Sequence, residues 1–153
     1  MGRETLGRGS LRVGARLLGV LLAALLLVGC GDGEPASFEE GYDEAIERYA
    51  EEVQPIIDGG LGVLLDPGGM AGVYDDLRVA TDALFEDVEA LEPPPERAEA
   101  HEAMRLNLVS QSRVLEDAAG AERAGDDEAS LEAIEAWSGL QDEFRALDDE
   151  LSG

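Results

Sequence analysis

In the stretch MAGVYDDLRVATDALFEDVEAL, residues 70–91, Met70, Val73, Leu77, Ala80, Leu84, Val88 and Leu91 recur at steps of three or four. Asp75, Asp76, Asp82 and Asp87 fall off that stripe. Steps of three and four place side chains on one face of a 3.6-residue turn, which predicts an amphipathic helix with a single buried face. Pro93-Pro94-Pro95 stops it. A helix with one apolar stripe must bury that stripe against other elements, so the neighbouring segments decide the architecture.

They carry the same pattern. Upstream, Ser37 and Glu40 have the spacing of a capping box, and Phe38, Tyr42, Ile46, Tyr49, Val53 and Ile57 form a second stripe. Pro55 falls in its last turn, and Asp58-Gly59-Gly60 ends it. Downstream, Pro95 is suited to a first helical turn. The stripe that follows is Ala98, His101, Met104, Leu108, Ser112, Leu115 and Ala119, with Gly120 and Gly125 bracketing its end. Asp126 or Asp127 then caps a fourth run, Leu131, Ile134, Trp137, Leu140, Phe144, Leu147 and Leu151. No strand-like alternation occurs. Four stripes and three connections predict an all-α fold, an antiparallel four-helix bundle over residues 37–153, with Trp137, Phe144, Phe85 and Tyr49 as its bulky core. The alternative is a three-helix domain with the first helix loosely attached.

The segment before the bundle has a different composition. Arg3, Arg8, Arg12 and Arg16 precede LLGVLLAALLLV, residues 17–28, which carries no charge. A basic start followed by a short apolar run is the pattern of a secretory signal peptide. A spanning helix needs roughly 20 apolar residues, and Arg16 and Asp32 bound this run well short of that. The run ends in Leu27-Val28-Gly29-Cys30, which resembles the lipobox of bacterial lipoproteins. That resemblance implies diacylglyceryl transfer to the Cys30 sulfur, cleavage by signal peptidase II between Gly29 and Cys30, and acylation of the new amino terminus. It makes residues 1–29 the signal peptide and residues 30–36 a lipidated tether. Two or more acyl chains supply stable anchoring, each buried methylene contributing about 0.8 kcal/mol. It also accounts for the only cysteine of the chain, which has no partner for an internal disulfide.

Composition narrows the function classes. The whole chain carries a formal charge of −24. Its eleven basic residues are all arginines; cleavage before Cys30 leaves seven of them against 34 acids in 124 residues, a net charge of −27. Nucleic acid is excluded as a partner, because phosphate binding needs a basic footprint. The expected partners are the membrane, through the anchor at Cys30, and an envelope protein. The expected location is the extracytoplasmic face of the cell membrane. Rich Ala, Glu, Asp, Gly and Arg usage without lysine points to a high-GC bacterium. LEPPPERAEAHEAM, residues 91–104, is similar to a pattern in small helical-bundle lipoproteins of actinobacteria, where a helix ends at a Pro-Pro pair and the next opens with acids and a histidine. The similarity implies location and fold, and no activity.

Chemistry is sparse. His101 is the only histidine and a weak metal candidate, since the residue three before it is Ala98 rather than the Glu of a di-iron motif. A haem axial pair of His101 with Met70 or Met104 is the other possibility. No calcium-loop pattern, Gly-x-Ser-x-Gly or lysine is present, so neither an enzyme nor a cofactor is expected. A metal, haem or small-ligand carrier using the bundle interior is the alternative to a binding or accessory module. The remaining unusual stretch is DGGLGVLLDPGG, residues 58–69, which joins the first two helices with Leu61, Val63, Leu64 and Leu65 inside it. Those side chains either plug the open end of the core or form an apolar tip that docks a partner.

Overall fold

The computed structural model describes residues 37–60, 62–63 and 69–153. Four helices follow one another: α1 (Phe38–Gly60), α2 (Gly69–Glu89), α3 (Ala98–Ala124) and α4 (Asp127–Ser152). No strand occurs among the described residues, and no described helix is long and apolar enough to cross a membrane. The fold is an antiparallel four-helix bundle in which each helix packs along its neighbour in the chain.

Local chemistry sets the ends. The Glu40 amide donates to Ser37 Oγ at 3.2 Å, the N-cap half of the expected capping box. Asp126 caps α4 by accepting from the Ala129 amide at 3.1 Å. Between α3 and α4 only Gly125 and Asp126 intervene. Gly125 has φ 67°, its amide bonds to the Glu122 carbonyl, and the Asp126 amide bonds to that of Ala121. These two bonds satisfy carbonyls that the helix end would otherwise leave open, and glycine adopts the left-handed turn without strain. At the α2–α3 connection, Pro95 does not open α3 as the sequence suggests. Residues 95–97 form a turn, closed by the Arg97 amide on the Pro94 carbonyl at 2.9 Å, and the helix begins at Ala98. The α1–α2 connection is shorter than the twelve residues expected, because α1 continues through Gly60 and α2 starts at Gly69, leaving residues 61–68.

Two apolar clusters make the core. One holds Tyr42, Ala45, Leu84, Val88, Ala100, Met104, Leu108, Phe144 and Leu151. It gathers the start of α1 and α3 with the end of α2 and α4, as antiparallel packing requires. The other holds Tyr74, Leu77, Leu115, Ala118 and Ala119, with Val53, Ile56, Met70, Val73, Ala133 and Trp137 packed against it. Each fully buried Leu or Met stabilises the fold by about 1.5–3 kcal/mol. Of the four aromatics expected in the core, Phe144 is buried while Trp137, Phe85 and Tyr49 are half-buried.

Four stripe positions depart from expectation. Ile57, Ala98, Leu131 and Ile134 are exposed. In α4 the reason is helical drift. The steps from Leu131 through Ile134 and Trp137 to Leu140 are all threes, and each step of three rotates about 60° short of a full turn. Leu131 and Ile134 are thereby carried off the face on which Phe144 and Leu151 are buried.

Candidate functional site

Between the two apolar clusters lies a polar layer built by α3 and α4 and bordered by Thr81 of α2 and Tyr49 of α1. Gln111 on α3 is fully buried. Its Nε2 donates to Asn107 Oδ1 at 2.6 Å, and its Oε1 accepts from Gln141 Nε2 on α4 at 2.5 Å. Asn107, also buried, donates onward to the Leu140 carbonyl at 3.1 Å and to Glu143 Oε2 at 2.9 Å. On α2 the buried Thr81 returns its hydroxyl to the Leu77 carbonyl at 2.9 Å. Tyr49 on α1 is half-buried beside the layer. Burial pushes its phenol above the ordinary value of 10, and the neighbouring polar groups of Thr81 and Gln141 partly oppose that shift. Buried amides gain stability only when paired, and in a low dielectric each pair strengthens the next. The layer's hydrogen bonds therefore tie α3 to α4 in one longitudinal register, which an apolar core of similar volume defines less sharply.

Apolar periodicity does not reveal the layer, although one signal for it is present in the sequence. Asn107 and Gln111 stand four apart, on the face of Met104, Leu108 and Leu115, whereas the apolar stripe takes in only His101 and Ser112 as polar residues. Ser112 instead bonds Asp82 Oδ1 at 2.6 Å at the partly buried edge of α2 and α3.

His101 is buried, and its Nε2 is 2.8 Å from the Val88 carbonyl oxygen. That nitrogen therefore carries the hydrogen and donates to a carbonyl at the end of α2 that also accepts from the Leu91 amide at 3.1 Å. The Phe38 ring meets the imidazole edge-on, with centroids 5.8 Å apart. Met104 lies in the same apolar cluster as this histidine's surroundings, whereas Met70 packs on the other cluster, so the structure does not bring Met70 to His101. No group of three or more His, Cys, Asp or Glu side chains that could hold a metal occurs among the described residues.

No protein-family model, curated protein or solved structure matches the chain. The functional reading rests on the chain's own residues.

Cys30 and Gly29 lie outside the described residues, as do Leu61, Leu64 and Leu65 of the connection. Val63 is half-buried and lines a groove of about 410 Å³ with Pro55, Ile56, Gly60, Val73 and Asp76. Three glycines, Gly59, Gly69 and Gly72, open this groove by presenting no side chain. Its walls are mainly apolar, and among the described residues Asp76 is the only charged one on them.

At the opposite end, Arg97 joins three elements. Its guanidinium donates to the Leu151 carbonyl at 2.6 Å and pairs with Glu39 at 3.0 Å. A cation at the last carbonyls of α4 complements the negative end of the helix dipole. Tyr42, fully buried nearby on α1, donates to Asp148 Oδ1 at 3.2 Å. Burial, and then the negative charge of Asp148, push its phenol far above the ordinary value. These contacts tie the start of α1 to the end of α4, at the end of the bundle from which residues 30–36 lead.

Proposed function

We propose that this chain is a membrane-anchored extracytoplasmic lipoprotein whose acidic four-helix bundle serves as a binding or accessory module for an envelope protein. The observation that carries the reading is the register of four arginines, twelve uncharged residues and Leu27-Val28-Gly29-Cys30. Its spacing supports the reading as well. α1 starts at Phe38, so a tether of residues 31–36 spans at most about 20 Å and keeps the bundle close to its anchor. The high negative charge favours a bundle that stands off anionic headgroups while the anchor holds it. A binding role rather than a catalytic one fits a core made of apolar clusters and a closed amide layer, in which the one histidine is engaged with a backbone carbonyl.

The test is fractionation of cells that express the full chain. The wild-type protein is expected in the membrane fraction, released by detergent and not by high salt. Cys30→Ser is expected to accumulate unprocessed or to leave the membrane. Equal membrane association of both proteins after complete removal of residues 1–29 would overturn the reading.

A further inference from the structure

The ring of four helices is not closed evenly, because α1 meets α4 over only a short stretch. Side-chain contacts across this seam include the Tyr42–Asp148 hydrogen bond and the Tyr49–Phe144 ring pair, whose centroids are 6.1 Å apart. Both helices rise equally per residue. Carried along them, this antiparallel register sets Val53 opposite Trp137 and Ile57 opposite Ile134. Ile134 also stands two turns before Gln141, on the α4 flank that reaches Tyr49. A closed seam would bury such a pair. Instead Ile57 is 46% exposed, Ile134 38% and Leu131 63%. The half of the seam next to the α1–α2 connection thus presents an apolar strip of Val53, Ile57, Leu131 and Ile134.

The charges beside the strip indicate what covers it. No arginine occurs from Ala50 to Gly60 or from Asp127 to Phe144, and the chain has no lysine. Glu128, Glu135 and Asp142, all exposed, repeat at intervals of seven along the outer edge of α4, while Asp58 lies exposed on the α1 side. A second copy of this chain would bring two such acidic rims together. An amphipathic helix flanked by Arg or Lys meets them with opposite charge and lays its apolar residues into the strip. We propose that this half of the α1–α4 seam docks a cationic amphipathic helix of a partner protein, with its apolar face on Val53, Ile57, Leu131 and Ile134. This inference rests on the binding-module reading and gives that reading a partner class and a surface.

The test uses the full chain in phosphatidylcholine vesicles and an 18-residue Leu/Lys amphipathic peptide without aromatic residues. Trp137, the only tryptophan, lies beside the strip, so its emission reports occupancy against protein-free vesicles and buffer. The peptide is expected to shift that emission saturably. Leu131→Ser and Ile134→Ser are each expected to weaken binding at least about tenfold, the size of effect that follows from losing one apolar anchor. Val79→Ser, exposed on the outer face of α2, is expected to leave binding unchanged. A Leu/Glu peptide of the same pattern is expected not to bind. Leu131 is mostly solvent-exposed, so its substitution leaves the fold intact, and circular dichroism checks this. The proposal is overturned if a scrambled Leu/Lys peptide binds equally well, if Val79→Ser weakens binding as much as the seam variants, or if emission never shifts. It is also overturned if sedimentation shows a dimer that Leu131→Ser dissociates, since the strip would then serve a second copy. Membrane fractionation of Cys30→Ser is independent of all these outcomes, so failure of the anchor and failure of the seam are distinguishable.

Discussion

Gln111 and Trp137 show how much single side chains contribute inside this core. Gln111 is the only link between the Asn107 oxygen and the Gln141 amide. Gln111→Leu keeps the volume but leaves the buried Asn107 oxygen and the half-buried Gln141 amide without this partner, which costs about 1–3 kcal/mol. Adding Gln141→Leu removes one orphan and should return part of that loss. Chemical denaturation of the two variants measures both, and a single variant more stable than wild type would contradict the role given to the layer. Trp137 packs on the apolar cluster of Tyr74 and Leu115, yet its Nε1 is buried without a hydrogen-bond partner among the described residues. Trp137→Ala should lose about 2–3 kcal/mol, below the range of a fully buried aromatic because the ring is half-exposed. Trp137→Phe should lose less than about 1 kcal/mol, since it discards the unpaired donor along with the extra area. Neither residue's role was fully legible beforehand. Trp137 was readable as a core aromatic from its spacing, but the pairing of amides depends on which helices face one another.

At the scale of elements, the helix count, order and most boundaries were legible because periodic stripes and terminal chemistry agree. Ser37 and Asp126 accept backbone amides at the helix starts as their residue types suggest, and Gly125 is placed where a left-handed residue is needed. The errors lie where a stripe is read by hydrophobicity alone. Leu131 and Ile134 continue the apolar list of α4 but rotate off its buried face, and the same positions then line the open seam. Ile57 fails for a related reason, since α4 does not close over it. Helix interiors also retain slack. A Cβ at Gly120 or Gly139 would meet nothing within 4 Å, and both are exposed within helices. Gly120→Ala and Gly139→Ala should each stabilise the bundle by about 0.5–1 kcal/mol, whereas Gly125→Ala should destabilise it by about 1–2 kcal/mol through its positive φ. Thermal melts of the three variants give opposite signs if the α3–α4 turn is built as described.

At the scale of the whole molecule, the three tyrosines and the net charge set the response to solution conditions. Tyr42, Tyr49 and Tyr74 all have phenols raised above 10, each first by burial. A phenol raised in the folded state contributes its full stability below pH 10 and loses it as pH rises further, because the unfolded chain ionises first. The helical signal should therefore fall above pH 10 together with the tyrosinate absorbance, and early titration of all three phenols in a still-helical protein would contradict their burial. Salt should act in the other direction. With acids far outnumbering arginines, screening of like charges should outweigh the loss of exposed ion pairs such as Arg48–Asp87, which contribute about 0–1 kcal/mol each. The melting temperature at pH 7 should rise with added sodium chloride.

The proposed anchor would join location to function, and it is argued from residues 1–30 rather than from the bundle. Mass spectrometry of the mature chain extracted from membranes tests it most directly. The account predicts an amino-terminal peptide beginning at Cys30 and carrying a thioether-linked diacylglyceryl group. A mature chain that begins elsewhere, or one in which Cys30 is an unmodified thiol, would contradict it.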